Sequence, residues 1–152
     1  MKLNELFKST SYDDSLFDSK AIAAIESAVF IKTVRGTDVP YMKCQVRDKE
    51  IRLTPEEAVR QLYLYVLIHT YSYPTDRIQL EAPIHFGREV KRADIAIMDK
   101  DRPTIPYIIV ELKKPKLTEG KEQLKSYCNA TGAPIGVWTN GEQISYYNRK
   151  DP

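Results

Sequence analysis

The segment TIPYIIVELKK, residues 104–114, constrains the fold more than any other part of the chain. It is apolar or aromatic from Pro106 to Val110 and then ends in Glu111-Leu112-Lys113. A short apolar run rich in β-branched residues marks a core strand. Charged groups at the end of a buried strand cost desolvation unless something compensates them. The elements around it are therefore expected to cover this strand and to explain its charged end.

KRADIAIM reads as a strand before it, joined through the polar turn DKDRP, and RIQLEAPIHFG as an earlier strand over about 77–86. KEQLKSYCNATG reads as a helix with Gly132 at its C-terminal cap. PIGVWTNG is a further buried strand, and EQISYYN pairs with it after the Asn140-Gly141 turn. Thr54-Pro55-Glu56-Glu57 opens an earlier helix, with Thr54 at the N-cap, Pro55 at the first helical position and Glu57 closing a capping box. That helix is expected to run to about His69, with the Pro74 region ending it. The order from Thr54 is α-β-β-β-α-β-β, which predicts an α/β fold: a mixed central sheet flanked by helices.

Upstream, Asp18 suits the N-cap of a short helix with Ala21, Ile22, Ala24 and Ile25 on its apolar face. AVFIKTVRGTDVPYMKCQVRDKEIRL reads as an antiparallel hairpin or meander turning at RGTD. The first dozen residues are polar and are expected to be loosely held. The predicted organisation is an N-terminal extension over 1–53, packed on a core over 54–150.

The rest of the sequence excludes more than it assigns. Cys44 and Cys128 are far apart and form no CxxC, which argues against a zinc site or a disulfide framework. His69 and His85 are isolated. No apolar run approaches a membrane span, and no apolar leader is visible at the N-terminus, so a soluble cytoplasmic protein is expected. The net charge is only +2, with −1 over residues 1–76 and +3 over residues 77–152. Any contact with a polyanion must come from local clustering.

The chemistry is expected at Asp94, Glu111 and Lys113. The midpoint between positions 94 and 111 falls inside the DKDRP turn, so the two carboxylates are predicted to be cross-strand neighbours, with Cβ atoms about 5 Å apart. Two carboxylates that close repel unless a cation lies between them, and a hard ion such as Mg²⁺ suits an oxygen-lined site. Glu111 and Lys113, two apart on one strand, share a face. From the residues alone an alternative stays open, in which Asp94 pairs with Lys113 or Arg92, and Glu111 with Lys114, as edge charges. Gln123 and Tyr127 share one helix face; on the residues alone they also suit solvent and core. A helical wheel centred on Val59, with Leu62, Tyr63 and Val66, places Glu56 on the rim of the buried face and Glu57 outward.

The run RADIAI, YIIVELKKP and EQLKSY resembles the PD-(D/E)xK nuclease superfamily, with Asp94 followed by Glu111-Leu112-Lys113. Ala93 stands where the first Pro of the pattern is expected, a departure that removes no ligand. The resemblance is closest to the N-terminal nuclease domain of type I restriction enzyme R (motor) subunits. It extends over about 51–148 through LTPEEAVRQ, the YP loop, LEAPI, RADIAI, VELKKP, Gln123-x-x-x-Tyr127 and VWTNG. It implies a restriction-endonuclease-like fold and a Mg²⁺-dependent endodeoxyribonuclease, with Mn²⁺ as a substitute, that cuts DNA without intrinsic sequence specificity. Asp94, Glu111 and the carbonyl of Leu112 would hold the metal, and Lys113 would act on the attacking water. Gln123, Tyr127, Glu56 on the first helix and Glu81 in LEAPI would support them. Lys91, Arg92, Lys114, Lys116, Lys121 and Lys125 would contact the DNA backbone. A catalytically inactive nuclease-fold module for DNA binding or assembly is the alternative.

In the resembling family the domain is fused to a translocase and works with modification and specificity subunits. The chain has no GxxxxGKS/T, so no motor lies within it. A stand-alone relative or the N-terminal piece of a longer protein is expected, since Asp151-Pro152 does not resemble a natural end.

Overall fold

The computed structural model describes residues 1–149; Lys150, the last position of the expected 54–150 core, and the chain end Asp151-Pro152 lie outside the described residues. Two compact units divide after Ser72.

The first unit is built on helices α1 (Leu3–Phe7), α2 (Ser19–Ala28) and α3 (Pro55–Tyr65) and on an antiparallel sheet of β1 (Phe30–Val34), β2 (Thr37–Lys43) and β3 (Glu50–Arg52). Asp18 caps α2 by accepting from the Ala21 N–H at 2.9 Å. The β1–β2 turn uses left-handed Arg35 and Gly36 (φ +51° and +79°), the conformation a tight hairpin demands. The extension is thus a three-stranded meander.

One expectation is corrected here. The first residues are not loose: α1 buries Leu3 and Phe7 in a cluster with Ala21, Ile25, Met42, Leu53, Ala58, Val59 and Leu62. A two-residue apolar anchor is too sparse to show as periodicity. The same cluster explains why the compact units divide after Ser72, since the apolar face of α3 completes the N-terminal cluster. Helix α3 continues through a π-helical turn, Val66–Thr70, so the helix extends slightly past the expected His69.

The second unit is a five-stranded sheet in the order β4-β5-β6-β7-β8. Its strands are β4 (Ile78–Phe86), β5 (Glu89–Met98), β6 (Pro106–Leu112), β7 (Ile135–Thr139) and β8 (Ile144–Asn148). Neighbours are antiparallel except β6 and β7, which are parallel. A parallel pair needs a crossover, here supplied by α4 (Lys121–Thr131). Leu124, Tyr127 and Cys128 of α4 pack with Ile84, Ala93, Ile109 and Trp138 of the sheet. This is the mixed α/β architecture that the element order predicts. Each sheet strand lies within a residue or two of its expected position. Among the described residues no helix is long and apolar enough to cross a membrane.

Candidate active site at the end of strands β5 and β6

The β5–β6 register runs Ile97↔Ile108, Ala96↔Ile109, Ile95↔Val110, and its next step sets Asp94 opposite Glu111. At that step side chains take over from the strand ladder. The Leu112 N–H donates to Asp94 Oδ2 at 2.7 Å, and the Asp94 N–H donates to Glu111 Oε1 at 3.3 Å. Each carboxylate thus accepts from the backbone of the opposite strand, which fixes both at one end of the sheet. On the other side, Glu111 pairs with Trp138 of β7, and the Lys113 N–H donates to the Thr139 carbonyl at 2.8 Å. Strand β6 is therefore held through Lys113 even where β5 has left it.

Glu111 is only 3% exposed. Burial, reinforced by the Asp94 charge, pushes its carboxyl up to about 7, against a partial offset from Lys113 and the Asp94 N–H. Lys113 Nζ stands 3.7 Å from Glu111 Oε2. The edge-charge alternative is thereby partly realised, since Lys113 does pair, but with Glu111. A single partly exposed lysine does not cancel the desolvation of a buried carboxylate beside a second one.

The remaining site candidates separate clearly. Tyr127 is buried, and its phenol is raised above its ordinary value first by burial and then by the charges of Glu111 and Asp94. Its ring packs on Phe86 at 5.6 Å. Gln123, one turn earlier, is exposed. Glu81 is exposed and adopts φ +52°, uncommon for a residue with a side chain. The pairs Leu80↔Ile95 and Ala82↔Ala93 flank it, so it lies at the register position facing Asp94. Its carbonyl accepts from Arg92 Nη1 at 3.1 Å.

The helical-wheel assignment is reversed on α3. Glu56 is exposed. Glu57 is the inward acid, binding Arg60 at 2.6 Å and accepting from Gln61 Nε2 at 2.9 Å. The wheel took only Val59, Leu62, Tyr63 and Val66 as the buried face and did not consider Gln61. It is fully buried, and Gln45 and Cys44 satisfy it. Adding Gln61, Ala58 and Leu64 to the buried arc moves that arc away from Glu56. Thr54 does cap the helix, accepting from the Glu57 N–H at 3.1 Å.

Of the basic candidates, Lys91, Arg92, Lys114 and Lys116 are exposed. Lys121 lies over the Trp138 ring at 4.6 Å, and Lys125 pairs with Glu122 at 3.2 Å. Cys128 is buried and its thiol is pushed up to about 11 by burial, which keeps it un-ionised near neutral pH.

Two residues with no expected role shape the loop between β6 and α4. Trp138 Nε1 donates to the Glu119 carbonyl at 2.9 Å, and Asn140 Nδ2 donates to the Leu117 carbonyl at 2.7 Å. Asn140 also accepts from the N–H groups of Glu142 and Gln143, closing its own turn. The VWTNG run thus has a physical task that its composition alone does not disclose.

Among the described residues no group of three or more His, Cys, Asp or Glu side chains gathers around one point. The donor set at the sheet end is two carboxylates and neighbouring backbone. It is an all-oxygen set with excess negative charge when both acids ionise, and this fits a hard divalent cation.

The family described as type I restriction enzyme R protein N terminus (HSDR_N) matches residues 55–152, well over half the chain. No curated protein gives a significant match. Among solved structures, a DUF820-family protein from Anabaena variabilis ATCC 29413, proposed to be a nuclease, aligns with a TM-score of 0.39 at 12% identity. The alignment covers 80% of this chain and 78% of that one.

Proposed function

The chain belongs to the family of type I restriction enzyme R protein N-termini, and from that premise we propose that it is a metal-dependent endodeoxyribonuclease domain that cuts DNA without reading its sequence. The observation that carries the reading is the reciprocal bonding of Asp94 and Glu111 across β5 and β6, with Lys113 beside Glu111.

Asp94 and Glu111, with the Leu112 carbonyl, would hold Mg²⁺, or Mn²⁺ in its place. When bound, the ion supplies Lewis-acid polarisation of the scissile phosphate and a lowered pKa for water. The chain's own groups do the rest. The N–H groups of Asp94 and Leu112 orient the two carboxylates before any ligand arrives. Lys113 positions the attacking water and offsets the negative charge that grows in the transition state. The Tyr127 hydroxyl, uncharged and within electrostatic reach of both acids, would orient the substrate or the site when DNA is bound. Exposed Lys91, Lys114 and Lys116 contact phosphates, which gives affinity without sequence choice; Arg92, Lys121 and Lys125 contribute less because each already has an internal partner. In this reading DNA arrives through a translocase region and through modification and specificity subunits. The complete Asp94, Glu111, Lys113 set argues against an inactive binding module.

The test is plasmid nicking, linear DNA cleavage and RNA cleavage in Mg²⁺, Mn²⁺ and EDTA, for the chain and for any longer protein containing it. Lys113→Ala should keep divalent-ion affinity and lose cleavage on the order of 10²-fold or more, whereas Glu111→Ala should lose both. Full nicking by folded Lys113→Ala, or no Mg²⁺-dependent cutting in either context, sinks the reading.

A further inference from the structure

Lysine is a flexible four-carbon stem with a mobile ammonium, so a lysine that must meet one water needs something to hold it. The chain leaves β6 at Lys113 and re-enters regular structure at Gly120, the residue that caps α4 with φ +95°. A Cβ built on Gly120 would stand 2.5 Å from Lys113 Cε, 3.4 Å from its Nζ and 3.5 Å from Trp138 Nε1. The lysine stem therefore lies across the bare Cα of Gly120. The loop beneath is pinned from below by two buried donors, Trp138 onto Glu119 and Asn140 onto Leu117. The slot is thus held in place by the core and not by solvent-exposed contacts.

We propose that Gly120 is a positioning residue: its missing side chain is the slot that directs the Lys113 ammonium toward Glu111. The proposal rests on the reading of Lys113 as the group that acts on the attacking water. The atoms a new Cβ would strike belong to the free end of a flexible side chain, so the cheapest relief is for Lys113 to swing away while the backbone stays. The fold survives and the ammonium leaves its place.

Gly132 supplies an internal control. It ends the same helix with φ +82°, but a Cβ there meets nothing nearer than Arg149 Nη1 at 3.8 Å. Gly120→Ala and Gly132→Ala therefore share the backbone penalty of a left-handed position and differ in the lysine contact. Gly120→Asn brings the same Cβ on a residue that tolerates this conformation better.

The experiment compares these three variants with the parent by melting temperature and by the Lys113 ε-CH₂ resonance in ¹H–¹³C spectra of lysine-labelled protein, assigned by its loss in Lys113→Arg. Cleavage kinetics are measured at saturating Mg²⁺ as a function of plasmid concentration. Both alanine variants should melt at similarly reduced temperatures. Only the Gly120 variants should shift the Lys113 resonance and lower the limiting cleavage rate at least tenfold, with half-saturation by DNA unchanged. An unmoved Lys113 resonance in folded Gly120→Asn overturns the proposal. So does failure of both Gly120 variants to fold while Gly132→Ala folds, because the glycine is then a packing requirement. A Lys113 resonance shifted in the Gly120 variants, with a parent that cleaves neither alone nor within a longer protein, supports the placement and sinks the nuclease reading instead.

Discussion

Replacing Glu111 by Gln should make the protein more stable at alkaline pH and should flatten its stability against pH. The Glu111 carboxyl is raised from 4.5 to about 7, first by burial and then by Asp94. A shift of that size corresponds to a difference on the order of 3 kcal/mol between the two protonation states. The sign follows from proton counting. Between pH 4.5 and 7 the unfolded chain has released this proton and the folded protein still holds it, so stability falls as pH rises. The contribution is complete below the unfolded value and is lost once pH passes about 7.

Glutamine keeps an oxygen for the Asp94 N–H and carries no charge at any pH. The stability difference between the variant and the parent should therefore grow, in favour of the variant, by on the order of 3 kcal/mol from pH 4 to pH 8. Urea unfolding followed by Trp138 fluorescence reads this directly, since Trp138 is the sole tryptophan and is fully buried in the unit that holds the site. Millimolar Mg²⁺ at pH 8 should stabilise the parent and leave the variant unchanged. Parallel pH profiles for the two proteins would refute the reasoning, because Glu111 would then be ionised in the fold at no cost.

Tyr127→Phe keeps the ring against Phe86 and removes only the hydroxyl, so stability at neutral pH should change by about 1 kcal/mol or less, divalent-ion affinity should hold and the cleavage rate should drop; an unchanged rate would leave Tyr127 as core packing. Asn140→Ala strips a buried donor and acceptor that serve Leu117, Glu142 and Gln143, and should cost about 2–3 kcal/mol in urea unfolding with faster proteolysis at Lys116; a smaller loss would mean that Trp138 alone holds the loop.

The juxtaposition of Asp94 and Glu111 was legible in the sequence because its register depends on a turn that can be located by composition. The symmetry assumed for DKDRP fails near the turn, where pairing shifts between Ile97 and Met98. The shift lies on the turn side, so the pairs beyond it still bring Asp94 and Glu111 together. The acid on α3 was misread for a different reason. Periodicity counts Gln61 as polar and therefore outside, yet a Gln whose donors and acceptors are all met by Gln45, Cys44 and Glu57 can be buried. Gly120 was invisible for a third reason: glycine before a helix reads as an ordinary cap, and nothing local reveals that a lysine seven positions earlier lies across it.

The site exists because the β5–β6 ladder stops at Ile95↔Val110. Had the ladder continued, the N–H groups of Asp94 and Leu112 would be directed at strand carbonyls and the two acids at whatever covers the sheet. Instead the acids occupy the acceptor positions that the partner strand has vacated, so two like charges are held side by side by donors that cannot move away. That arrangement opposes stability: a buried Glu111 with a raised carboxyl makes the pair resist double ionisation. In the proposed reading a divalent cation would convert the same repulsion into binding, which would tie the cost of Glu111 to the metal-dependent chemistry proposed for it.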